Sequence, residues 1–128
     1  MIDKSKIFII FSYILVIYIF LLALIFIFQR SLMYFPIKEK ISKSFYKNTQ
    51  LKMIDINTSD GLILKSLYKK SETNVNKTIL VFHGNAGHIG HRVNKFKPFI
   101  DKGYGLLLLE YRGYGENKGK PTKLGLYK

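Results

Sequence analysis

The chain has 128 residues, 48% of them hydrophobic, which is enough for one folded domain and above the range of disordered chains. It contains no cysteine, and this excludes disulfide scaffolds, thiol nucleophiles and cysteine-based zinc sites. The formal net charge is +13, but the basic residues are scattered and only three of them are arginine. We therefore expect no nucleic-acid partner and a modest attraction to anionic lipid surfaces.

Residues 7–28 form an uncharged segment in which 18 of 22 residues are Ile, Leu, Val or Phe. As a helix this segment spans about 33 Å, the thickness of a bilayer core, so residues 1–29 are predicted to be a transmembrane anchor. A cleavable signal peptide is the alternative, but the run is too long and no A-x-A-like site follows it. We expect a single-pass protein of the bacterial cytoplasmic membrane with the lipid bilayer as partner. Lysines on both sides leave its orientation open.

The residues after the anchor predict a juxtamembrane linker at 30–50 and a domain at 51–128. Strand-like runs occur at 51–57, 62–68, 78–82 and 104–111, and apolar residues recur at helical spacing over 89–100. The run at 78–82 lacks polar alternation, so we expect it to be buried on both faces of a sheet. A helix between the last two strands predicts an α/β fold with a right-handed parallel crossover.

Two short motifs follow the predicted strands 78–82 and 104–111. The first reads His83-Gly84-Asn85-Ala86-Gly87, directly after the apolar run. The second reads Y-R-G-Y-G over residues 111–115. A strand-ending turn like the first can present a backbone N–H to a developing oxyanion.

These motifs closely resemble those of the α/β-hydrolase fold, and more narrowly those of membrane-anchored α/β-hydrolase-domain proteins. The resemblance covers residues 30–128 and implies the N-terminal part of a hydrolase sheet, with about four strands and one to two helices. Two positions depart from the family pattern: Asn117 stands where serine is usual, and Lys123 where an acidic residue is common.

The resemblance also assigns roles to single residues. It implies an oxyanion-hole-like turn made of His83, Gly84, Asn85 and Ala86, in which the backbone N–H of Asn85 is the donor. It implies that residues 112–115 form a structural turn beside the site and take no part in catalysis.

The catalytic triad of this family lies after the fourth strand, and here the sequence lacks it. After Tyr111 there is no serine, cysteine, aspartate or histidine, and no G-x-S-x-G occurs. We therefore expect no catalytic residue and favour a truncated or split-gene remnant without independent activity. Two alternatives stay open: the N-terminal half of a serine hydrolase completed by a second chain, and a small basic membrane protein that binds lipid surfaces.

Three histidines follow the spacing H-x4-H-x2-H at His83, His88 and His91. No carboxylate lies near them in the sequence, and metal-ligating histidines usually need acceptors around them. We expect no metal site and no cofactor.

Overall fold

A computed structural model describes residues 3–128 of the chain, which divides into two compact units, Met1–Met33 and Tyr34–Lys128. The first unit contains helix α1, Lys4–Met33, which has no buried residue. Its mean hydropathy over 18 residues is 3.0, so α1 is long and apolar enough to cross a membrane.

The second unit is built around a four-stranded mixed sheet. Its elements are β1 (Phe35–Pro36), β2 (Lys52–Asn57), β3 (Ile63–Lys69), β4 (Thr78–Phe82), β5 (Ala86–Gly87), α2 (Val93–Asp101), β6 (Gly105–Leu109) and α3 (Lys123–Leu126). The sheet order is β2-β3-β6-β4, in which β6 runs antiparallel to β3 and parallel to β4. The four strands of this sheet lie within two residues of their predicted bounds, and α2 joins the two parallel strands, as the sequence predicts.

The hydrophobic core lies where the sheet and α2 meet. Leu67, Leu106 and Leu108 are fully buried in it. The predicted apolar face of the helical segment is confirmed: its members packed into the core are Ile89, Val93, Phe96 and Ile100. Burying side chains of this size contributes about 1.5–3 kcal/mol each. Because the buried side chains share one face of the helix, apolar residues recur at helical spacing in the sequence.

Strand β4 is less buried than the sequence predicts. Leu80 is 53% exposed and Phe82 is 59% exposed. Within the described residues β4 pairs only with β6, at the edge of the sheet. The expectation of burial on both faces is therefore wrong for this chain, because an apolar run shows what a strand can bury and not which neighbours cover it.

A two-residue parallel pair joins the segment after α1 to the turn after β4. Phe35 lies opposite Ala86, and Pro36 lies opposite Gly87. Ile41, six positions after Phe35, is 3% exposed and belongs to the core. The segment that the sequence assigns to a linker thus contributes residues that pack against the folded domain.

Candidate active-site turn

The predicted turn His83–Ala86 leaves the carboxyl end of β4 and enters β5. Its two ends are held by different partners, since β4 pairs with β6 and β5 pairs with β1. The space beside Gly84 is open, because a Cβ built there would meet no atom of the described chain within 4 Å. An approaching carbonyl group can therefore reach the backbone at this point.

The carbonyl group of Asn85 is held from two sides. The backbone N–H of Phe35 donates to it at 2.9 Å, and the hydroxyl of Tyr114 donates at 2.9 Å. Tyr114 is 1% exposed, and burial raises the pKa of its hydroxyl, so the group keeps the proton that it donates. These bonds fix the peptide unit between Asn85 and Ala86.

His83 is tied to a carboxylate for which the sequence predicted no role. Its Nε2 atom lies 2.7 Å from Oε1 of Glu110, and both side chains are fully buried. Its Nδ1 atom lies 2.7 Å from the carbonyl oxygen of Gly84. A signal existed in the sequence, because His83 and Glu110 each follow directly on one of two parallel strands, and such strand ends meet at one edge of a sheet.

The loop after β6 contacts distant parts of the domain and not the turn alone. Arg112 donates to the two carboxylate oxygens of Asp60 at 2.7 and 2.9 Å, and this hydrogen bonding holds the pKa of Asp60 well below its usual range. Asn117 accepts from the N–H of Lys65 at 2.8 Å and donates to the carbonyl of Glu110 at 3.2 Å. An amide can both donate and accept hydrogen bonds, so Asn117 has a structural role in this loop.

A second cluster brings Glu39 from the segment after α1 to two histidines. Its Oε1 lies 2.9 Å from Nε2 of His88 and 3.8 Å from Nε2 of His91. The sequence missed this carboxylate because it lies 49 positions before His88. Burial is the main cause that lowers the pKa of His91 below 6.5.

The tautomer of His88 bears on whether this cluster fits a metal ion. Nδ1 of His88 accepts the N–H of Gly90 at 3.0 Å, so Nε2 carries the proton and donates to Glu39. A ligating histidine instead offers one lone pair to the metal and donates its other N–H. His88 does not fit that role in this geometry. The expected lack of a metal site stays a prediction.

Ser66, a serine on β3, contacts Glu110 and is fully buried. Its hydroxyl accepts the N–H of Glu110 at 3.2 Å. A nucleophile must reach a bound substrate, so this position supports Glu110 and does not supply an attacking group.

A sheet whose parallel strands β4 and β6 are joined by α2, with a His-Gly turn at the carboxyl end of β4, defines the α/β-hydrolase class of protein. The comparisons agree. The chain is 34% identical over 113 aligned positions to the α/β-hydrolase domain-containing protein WAV2 of Arabidopsis thaliana, covering 83% of this chain and 37% of that protein. It is 32% identical over 113 positions to the protein bem46 of Schizosaccharomyces pombe, covering 82% and 38%.

Shorter and structural similarities point the same way. The lysophosphatidylserine lipase ABHD12 of Danio rerio is 39% identical over 61 positions, covering 46% of this chain and 16% of that protein. An esterase of Pyrococcus furiosus shares the fold with a TM-score of 0.54 at 22% identity, covering 73% and 36%. No protein-family model matches the chain. The chain belongs to the α/β-hydrolase superfamily and carries part of that domain, spanning just over a third of the length of WAV2 and bem46.

Proposed function

We propose that this polypeptide is a membrane-anchored hydrolase-like protein that carries the oxyanion-binding turn of a serine hydrolase and has no hydrolytic activity by itself. The observation that carries the proposal is the double restraint on the Asn85 carbonyl, from Phe35 and Tyr114. A preorganised turn is what oxyanion stabilisation needs, because the donors must be in place before charge develops.

The chemistry available to such a turn is limited. It stabilises the negative oxygen of a tetrahedral intermediate, but it neither attacks the carbonyl carbon nor moves a proton. The sequence after Tyr111 offers no serine, cysteine, aspartate or histidine for those steps. The expected role is therefore one part of an active site, held at a membrane by α1.

A second candidate function is completion by another polypeptide that carries the rest of a hydrolase domain. The exposed apolar residues Leu80 and Phe82 on β4 favour it. Within residues 3–128 the outer edge of β4 has no strand paired to it, and such an apolar edge accepts a further strand. The lengths of WAV2 and bem46, of which this chain matches 37% and 38%, fit the same idea.

A third candidate is binding to an anionic lipid surface. Four lysines in the segment after α1 are exposed and carry charge toward the solvent: Lys38, Lys40, Lys43 and Lys47. Binding of the chain to vesicles with anionic lipid should then weaken as salt rises, and binding that is insensitive to salt contradicts this role.

The decisive experiment uses the full 128-residue chain in detergent micelles. We expect no turnover of p-nitrophenyl butyrate and no labelling by a fluorophosphonate probe, and robust labelling of the chain overturns the main proposal. Co-expression with a polypeptide that carries G-x-S-x-G and is encoded immediately downstream tests the second candidate, which predicts restored labelling of that partner.

In a restored complex the role of the turn can be tested at one atom. Asn85→Pro removes the backbone N–H and should lower kcat by about 10²–10³-fold. Asn85→Ala is the matched control, because it changes the side chain and keeps the N–H. Equal kcat values for the two variants would argue against a donor at this position.

A further inference from the structure

His83 and Glu110 form an ion pair beside the turn. Within the described residues it is the only ion pair whose two side chains are both fully buried. Neither facing atom, Nε2 of His83 or Oε1 of Glu110, has a hydrogen-bond partner within residues 3–128, so their 2.7 Å separation is a close polar contact and not an aligned hydrogen bond. Buried groups of this kind persist when each compensates the other, so the contact sets the orientation of the His83 ring.

Glu110 is itself fixed by the backbone. Its Oε2 accepts the N–H of Ile89 at 2.9 Å, just before α2, and its own N–H donates to Ser66 on β3 at 3.2 Å. The carboxyl group is thereby anchored to the segment before α2, and the backbone of Glu110 is anchored to β3. It can hold the ring of His83 without moving with it.

The other ring nitrogen of His83 acts on the turn. A carbonyl oxygen only accepts hydrogen bonds, so Nδ1 of His83 carries a proton and donates to Gly84 at 2.7 Å. On the other side of the ring, Nε2 of His83 lies 2.7 Å from Oε1 of Glu110. The ring therefore links the carboxyl of Glu110 to the carbonyl of Gly84.

This link sets the direction of the N–H of Asn85. In a trans peptide unit the N–H points opposite to the C=O of the preceding residue. Because the Gly84 carbonyl is drawn toward the His83 ring, the Asn85 N–H is directed away from it. The next peptide unit is restrained through the Asn85 carbonyl, so the two units cannot rotate together freely.

We infer that Glu110 and His83 are positioning residues that orient the backbone N–H of Asn85. The functional meaning of this orientation rests on the proposed function, in which that N–H binds the oxyanion. The orientation of the N–H is measurable without hydrolysis. The inference can therefore fail while the proposed function stands, and the proposed function can fail while the inference stands.

The sequence offers a clean probe, because Gly84–Asn85 is the only Gly–Asn dipeptide in the chain. Labelling glycine with carbonyl ¹³C and asparagine with ¹⁵N gives one carbonyl-correlated amide signal, that of Asn85, from the full chain in micelles. Labelling histidine with ¹⁵N shows which ring nitrogen of His83 is protonated. Both readouts follow the orientation of the turn directly.

Two substitutions at one position separate positioning from mere stability. In Glu110→Gln the amide can donate to Nε2 and its oxygen can accept from Ile89, so the Asn85 signal and the protonated Nδ1 should persist. In Glu110→Ala the contact with His83 is lost, and the Asn85 signal should shift. Asp60→Asn is the control, because it weakens a different, half-buried contact and should leave the Asn85 signal in place.

The outcomes decide in both directions. An unchanged Asn85 signal in folded Glu110→Ala overturns the inference, and so does a shifted signal in Glu110→Gln or an equal shift in Asp60→Asn. If Glu110→Ala does not fold, Glu110→Gln still decides: a retained signal with protonated Nδ1 supports the inference, and loss of either contradicts it.

Discussion

Arg112 and Asp60, 52 positions apart in the chain, form a two-pronged contact in which both carboxylate oxygens of Asp60 accept, at 2.7 and 2.9 Å. The side chain of Arg112 is 7% exposed and that of Asp60 is 30% exposed. The contact joins the loop after β6 to the turn between β2 and β3.

This contact predicts a stability that depends on acid pH. The hydrogen bond from Arg112 lowers the pKa of Asp60 below 3.8, so the folded state binds that proton more weakly than the unfolded chain. The stabilisation is complete at pH values above the pKa of Asp60 in the unfolded chain, and it is lost progressively as pH falls below that pKa. Asp60→Asn should lower Tm at pH 7 and flatten the fall of Tm below about pH 4.

The matched control is Asp55→Asn. Asp55 pairs with Lys65 at 3.1 Å, but both side chains are more than 40% exposed, so the pair should contribute little. Thermal unfolding followed by circular dichroism measures both variants. Equal losses of Tm for Asp60→Asn and Asp55→Asn would contradict the assigned role of Arg112.

A second prediction concerns the hydroxyl of Tyr114. Tyr114→Phe removes one of the two donors to the Asn85 carbonyl, so the free energy of unfolding should fall by about 1 kcal/mol. Urea unfolding measures this change, and amide exchange at Ala86 should accelerate. Tyr111→Phe is the control, since no hydrogen bond of its hydroxyl is found in the part of the chain that the structure describes. A larger loss for Tyr111→Phe would argue against the double restraint.

A third prediction concerns the titration of His91. Burial and nearby positive charge lower its pKa below 6.5, whereas Glu39 acts to raise it. Glu39→Gln should therefore lower the pKa of His91 further. Phe45 packs against the imidazole ring of His91, so Phe45→Ala should expose that ring and raise the pKa of His91. Imidazole chemical shifts followed from pH 8 to pH 4 measure both effects. A higher pKa of His91 after Glu39→Gln would contradict the contact between Glu39 and His91.

A fourth prediction concerns the apolar edge of the sheet. Leu80→Lys places a charge on exposed strand β4 and should increase the monomeric fraction of the chain, because charged edges resist pairing. Ile63→Lys makes the same chemical change at a residue that is 57% exposed on β3, an inner strand, and serves as the control. Size-exclusion chromatography with light scattering compares the two, and equal monomeric fractions would count against an edge-driven association.

Local patterns predicted most of the fold. The apolar runs gave β3, β4 and β6 within two residues, and helical spacing gave the buried face of α2. The residues of the turn, His83 to Ala86, could be named because strand, glycine and histidine are adjacent in the sequence. Such features depend on neighbours along the chain, which the sequence displays directly.

Tertiary structure decided the contacts that make the turn rigid. Glu110 reaches His83 and Phe35 reaches Asn85 only after the strands have paired. It also decided that Leu80 is exposed, against the prediction from its apolar run. Alternation and spacing report which side chains prefer to be buried, whereas the identity of a partner many positions away depends on how the strands are ordered in space.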